Sequence, residues 1–115
     1  MDLSSLIEEE LTAVEFVEKH VQLRFANDDL LTLYTWPDVA DADGISVGFG
    51  QTGYRDALCS VIGESVSEAQ FHDDTALTVE FENGTVLALS LREEELDGAE
   101  AGSFLSGDSS VACEF

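Results

Sequence analysis

The stretch LTVEFENGTVLALSL, residues 77–91, constrains the fold more than any other part of the chain. Apolar residues alternate with polar or small ones on both sides of Glu82-Asn83-Gly84, the pattern of two strands joined by a tight turn. A turn made of Asn83-Gly84 alone would put Leu77, Val79 and Phe81 on one face and Leu87, Leu89 and Leu91 on the other. A loop of Glu82-Asn83-Gly84 puts all six on the same face. That loop is a type I turn followed by a left-handed glycine, a G1 bulge. It gives the hairpin one face to bury and is therefore the expected register.

Nearly the same phrase occurs earlier, as VQLRFANDDLLTLYT at residues 21–35. Phe25 matches Phe81, Asn27 matches Asn83, and Asp28 stands where Gly84 stands. Asp tolerates the left-handed region better than most residues. Leu31 and Leu33 match Leu87 and Leu89. With one residue of slippage the match runs back through Phe16 and Phe71, Leu11 and Val66, Ile7 and Ile62, and Leu3 and Leu58. In the later copy, Asp56 is expected to cap a short helix carrying Leu58, Val61 and Ile62, with Gly63 ending it. A strand from Ser65 to Phe71 follows. By analogy the earlier copy starts with a helical turn at Leu3 to Ile7 and a strand from Glu10 to Val17. Glu8 replaces the glycine there.

The expected architecture is an α+β, strand-dominated single domain over residues 1–115. It contains two similar units, residues 3–36 and 58–92, each a short helix plus a three-stranded antiparallel meander. A meander with one apolar face cannot bury it alone; two can, packed as a sandwich or closed into a barrel. Residues 37–53 read as a central loop with a short strand at Ile45 to Phe49. In the tail, residues 93–115, Phe104-Leu105 and Val111 to Phe115 read as a closing hairpin.

GYRDALCSVIG, followed by a strand, an F-x-N/D-G hairpin and LSLR, resembles a group of small uncharacterised bacterial proteins over residues 3–96. The resemblance implies no activity, cofactor or site residue.

The charge is the strongest compositional signal. The chain has 25 acids against Lys19, Arg24, Arg55 and Arg92, for a formal net charge of -21. A folded chain of this mass exposes roughly 6,000 Å², which spaces the net charges about 17 Å apart. The screening length is about 8 Å at physiological salt and about 3 Å at 1 M, so the surface suits concentrated salt. It excludes direct binding to nucleic acid or to an anionic membrane. No run of about 18 apolar residues is present to span a bilayer. The start MDLSSLIEEE has no basic or long apolar region and does not read as a secretion signal. Cys59 and Cys113 make no disulfide framework and suit a reducing cytoplasm.

The candidate chemical sites are weak. VADADG, residues 39–44, resembles a calcium loop. With Asp41 and Asp43 at loop positions 3 and 5, positions 1 and 12 fall on Val39 and Gly50, which supply no side-chain oxygen. His72 and His20 occupy equivalent turns, and neither has a second histidine nearby in sequence. Cys59 has Arg55 one turn away but no histidine to activate it. No catalytic residue, metal ligand or cofactor is assigned. Tyr34, Trp36, Phe49 and Tyr54 bracket the central loop. They are expected to cover an open end of the core, the alternative being an aromatic binding surface.

The expected function is a small, acidic, non-enzymatic binding protein of the cytoplasm, its charge suited to a salt-rich interior. One alternative is an inhibitor, immunity-type protein or nucleic-acid mimic whose acids meet a basic partner. Another is a small-molecule-binding domain. Free strand edges also permit a homodimer.

Overall fold

A computed structural model describes residues 3–18, 20–72, 75–92, 100–107 and 112–115. A 3-10 turn, Ser4–Leu6, leads into strands β1 (Leu11–Val17), β2 (His20–Phe25) and β3 (Leu30–Leu33). Short strands β4 (Asp38–Ala40) and β5 (Ser46–Val47) follow, then helix α1 (Tyr54–Cys59). The second meander is β6 (Val66–His72), β7 (Ala76–Phe81) and β8 (Val86–Ser90), and the chain ends in β9 (Gly102–Leu105) and β10 (Ala112–Glu114). The strands form two antiparallel sheets, ordered β1-β2-β3-β9-β10 and β5-β4-β8-β7-β6. They do not close into a barrel. No helix among the described residues is long and apolar enough to cross a membrane.

The hairpin register follows from the turn chemistry. Phe81 pairs with Thr85, its N–H donating to the Thr85 carbonyl at 2.8 Å, around the loop Glu82-Asn83-Gly84. Gly84 is left-handed at φ 91, and the Asn83 side chain accepts the Thr85 N–H at 3.0 Å. Leu77, Val79, Phe81, Leu87, Leu89 and Leu91 are all buried. Phe25 and Asp29 pair in the same way, with Asp28 left-handed at φ 67 and Asn27 accepting the Asp29 N–H at 3.1 Å.

The likeness extends to the segments before the hairpins. Glu8 is left-handed at φ 72, where Gly63 has φ 93. The Glu8 N–H donates to the Val66 carbonyl at 2.7 Å, and the Gly63 N–H donates to the Leu11 carbonyl at 2.8 Å. Val66 N–H reaches the Glu9 carbonyl and Leu11 N–H the Glu64 carbonyl, both at 3.0 Å. The register of each leading strand then shifts at one bulge, at Thr12 and at Ser67. The hydroxyl of each donates to the facing strand, to the carbonyls of Arg24 and Glu80, at 3.1 Å in both cases. The slippage falls in the next turn, where Val17 pairs with His20 but His72 pairs with Ala76.

Three sequence expectations need correction. The helix starts at Tyr54 with Gly53 as its cap, so Asp56 lies inside the first turn. It also stops before Val61 and Ile62, and Ile62 is exposed. The span 37–53 is more than a loop with one strand, because β4 pairs with β8 through Val39↔Leu87. Its counterpart β9 pairs with β3 through Leu31↔Phe104. Each hairpin therefore completes the sheet whose meander it does not follow in the chain. Val39 and Phe104 are both buried there.

Side chains of both sheets, among them Leu23, Leu31, Leu77, Val79 and Leu87, belong to one core cluster. Asp29 is the one fully buried acid among the described residues, 3% exposed. Its carboxylate accepts from Ser5 Oγ at 2.7 Å, Asn27 Nδ2 at 3.0 Å and the Gly107 N–H at 2.8 Å. It thereby ties the N-terminal turn, the first hairpin and the chain beyond β9 together. Gly107 has to be glycine, since a Cβ there would lie 2.1 Å from the Asn27 carbonyl oxygen. Removing the carboxylate strands buried donors. We expect Asp29→Ala to cost about 2–3 kcal/mol in chemical denaturation; a loss within error of zero would contradict this role.

Candidate functional site

Trp36 leaves the core between β3 and β4, and three segments meet it. Phe16 comes from β1, Phe49 from the chain after β5, and Tyr54 is the first residue of α1. Phe16 and Trp36 stack with centroids 5.7 Å apart, and Trp36 and Phe49 stack at 4.5 Å. Tyr54 meets Trp36 and Phe49 edge-on, at 6.0 and 6.1 Å. The Arg55 guanidinium lies over the Phe16 ring, 5.4 Å from its centroid. Of the four aromatic residues singled out in the sequence, Trp36, Phe49 and Tyr54 therefore converge. Tyr34 does not join them; it packs against His20 at 4.8 Å. Sequence reasoning missed Phe16 as a member, although its place near the end of an edge strand, opposite Val21, leaves only a loop residue to cover it.

The rings differ in their surroundings. Tyr54 is 3% exposed and its hydroxyl donates to the Pro37 carbonyl. Phe49 is 60% exposed and Phe16 37% exposed. Beside Phe49 runs an open groove of about 420 Å³, lined also by Gln51, Tyr54, Arg55 and Asp56. Asp38 lies beside Gly48, the residue before Phe49: its Oδ1 would be 2.9 Å from a Cβ there. A surface of this kind offers ring faces and flanking carboxylates but no nucleophile beside a base.

The strand registers place other residues in similar settings. Phe16 faces Val21 as Phe71 faces Leu77, and Phe49 lies two residues past the Val47 that faces Val39, as Phe115 lies two residues past the Cys113 that faces Phe104. Phe71 and Phe115 also touch, at 5.7 Å, but both are partly buried and packed against the core. Trp36 stands three residues after Leu33, which faces Val21, and Arg92 three residues after Leu89, which faces Leu77.

The other candidates do not assemble. Asp41 Oδ1 accepts the N–H groups of Asp43 and Ile45, at 3.0 and 2.9 Å, so this carboxylate closes its own exposed loop. His20 and His72 lie in different sheets, His72 beside Gln70 at 3.3 Å. No group of three or more metal-ligating side chains occurs among the described residues. Cys59 and Cys113 are free thiols, half-buried.

Burial, and after it the Asp38 carboxylate, push the Tyr54 hydroxyl above the usual phenol range. The folded chain thus keeps a proton that the unfolded chain releases near pH 10. Stability from this residue is whole below about pH 10 and declines as pH rises further. Tyr54→Phe should flatten that alkaline limb of a stability–pH curve; an unchanged limb would assign it to other groups.

The chain matches no family model, no curated protein and no solved structure.

Proposed function

We propose that the protein is a small, non-enzymatic binding domain whose contact surface is the ring stack Phe16–Trp36–Phe49. The observation that carries this reading is the contrast between Phe49, 60% exposed, and Phe115, packed against the core. In one half of the chain the equivalent rings close the core. In the other they leave apolar ring surface in water, which has a cost unless a partner covers it. This shifts the balance away from a simple lid, since a lid would pack against the core as the partly buried Phe71 and Phe115 do. Phe49→Ala discriminates the two. A docking ring should cost less than about 1 kcal/mol when truncated, because it buries little in the free protein. A lid would cost several times that in the same denaturation experiment.

We further propose that the chain is two copies of one unit, packed face to face as a sandwich, with the β4–β5 and β9–β10 hairpins exchanged between them. The paired hydrogen bonds of Glu8 and Gly63, of Leu11 and Val66, and of Thr12 and Ser67 support it. So does a core lined by Leu23, Leu31 and Leu33 of one sheet and Leu77, Val79, Leu87 and Leu89 of the other.

The acids are read as a solvation device for a salt-rich cytoplasm. Exposed acids occur in both sheets, the helix and the turns: Glu10, Glu18, Asp28, Asp56, Glu68, Glu80 and Glu114 among others. Only Glu15, with Arg24, forms an ion pair among the described residues. Like charges so distributed repel, and salt screens them. The thermal midpoint near pH 7 should rise strongly between about 0.1 M and about 2 M KCl. A midpoint already high and flat at the lower concentration would contradict the salt reading and favour acids kept for a basic partner.

A further inference from the structure

We propose that the exposed Phe49 end of the ring stack receives an arginine side chain from a basic protein segment; this rests on the docking reading of the stack given above. Three observations point to arginine. First, the stack already holds one guanidinium, since Arg55 lies over the Phe16 ring and also lines the groove beside Phe49. In a chain with 25 acids, this arginine has a ring face and no carboxylate within ion-pairing distance among the described residues. The site therefore suits a planar cation on an aromatic face, the geometry arginine favours. Second, Phe49 offers the same kind of ring, stacked on Trp36 at 4.5 Å and 60% exposed. Third, the exposed carboxylates of Asp38 and Asp56 flank it, one at Gly48 and one in the groove beside Phe49. A guanidinium stacked on Phe49 has donors left in its plane for those carboxylates.

Charge complementarity favours a cationic occupant over the alternatives. A net charge of -21 favours a basic segment over a second copy of this chain at contact range, where paired charges lie closer together than the screening length. A lysine would satisfy the charge but not the ring, because its ammonium is strongly hydrated and has no flat face. The arginine preference, rather than cation binding as such, is what the site specifies. Any polycation will be drawn to so acidic a surface.

The chain's one tryptophan sits in the middle of the stack, so its fluorescence reports the site directly. The full-length protein is titrated with hexa-arginine and with hexa-lysine at matched ionic strength. Hexa-arginine should change the Trp36 emission saturably and bind roughly three- to fivefold more tightly than hexa-lysine, the preference expected of one exposed cation–π contact. Phe49→Ala should bring the two affinities together while leaving the far-ultraviolet circular dichroism unchanged. Phe49→Leu, which keeps the apolar bulk and removes the ring, should do the same, so the result does not depend on one variant folding. Equal affinities for the two peptides in the unaltered protein overturn the assignment. So does an arginine preference that survives both substitutions. Concentration-dependent dimerisation of the free protein that Phe49→Ala abolishes overturns it too, by giving the ring to a second copy. None of these outcomes touches the docking reading itself, which fails separately if Phe49→Ala destabilises the fold by several kcal/mol.

Discussion

Each sheet is completed by a hairpin that arrives from the other part of the chain. β4 follows β3 but bonds to β8, and β9 follows β8 but bonds to β3. The rest of the structure depends on this exchange. It covers the outer edges of two meanders that would otherwise offer unpaired N–H and C=O groups. It brings Val39 and Phe104 into the core. It carries the chain across the end of the core on the way from β3 to β4, which is why Trp36 and Pro37 lie there. It also brings the loop after β5 back to the same end, where Phe49 finds Trp36. The aromatic site is a product of the crossover rather than of any single element.

Local pattern made a large part of this fold legible. Strict alternation located the faces of β7 and β8. The Glu82-Asn83-Gly84 loop then set their register, because only that loop puts all six apolar side chains on one face. Asp28 in the left-handed position was legible for the same chemical reason. Glu8 was not: a glutamate gives no hint that its backbone takes the conformation of Gly63, since the bonds that hold it there come from Val66, far along the chain. The pairing of β4 with β8 was equally hidden. Three residues with one buried side chain carry no periodicity to read. Tyr34 and Trp36 looked alike in sequence, both aromatic and two positions apart, yet only Trp36 joins the cluster. Tyr34 still lies on the sheet side with His20, whereas Trp36 has already turned over the core's end. Asp29 was lost among 25 acids, and only its partners Ser5, Asn27 and Gly107 distinguish it.

Under the proposal that the two halves are copies of one unit, they act as controls for each other. Where they agree, in turns, bulges and the crosswise bonds at the start of β1 and β6, the residues serve the fold. Where they part, at Phe49 against Phe115 and at Trp36 against Arg92, the fold tolerates either choice. A difference of that kind is free to be shaped by something outside the fold. The same reasoning discounts most of the acids, which decorate both halves without concentrating on one.

The exchange of hairpins also governs the order in which the chain is completed during synthesis. β3 ends at Leu33, but the strand that covers its outer edge ends at Leu105. At translation rates of about 5–20 residues per second, that edge waits roughly 4–14 seconds for its neighbour. Throughout that interval the nascent chain presents an open strand rich in leucine, the kind of edge on which other chains add strands. The exchange thus leaves the β3 edge uncovered until nearly all of the chain has been made.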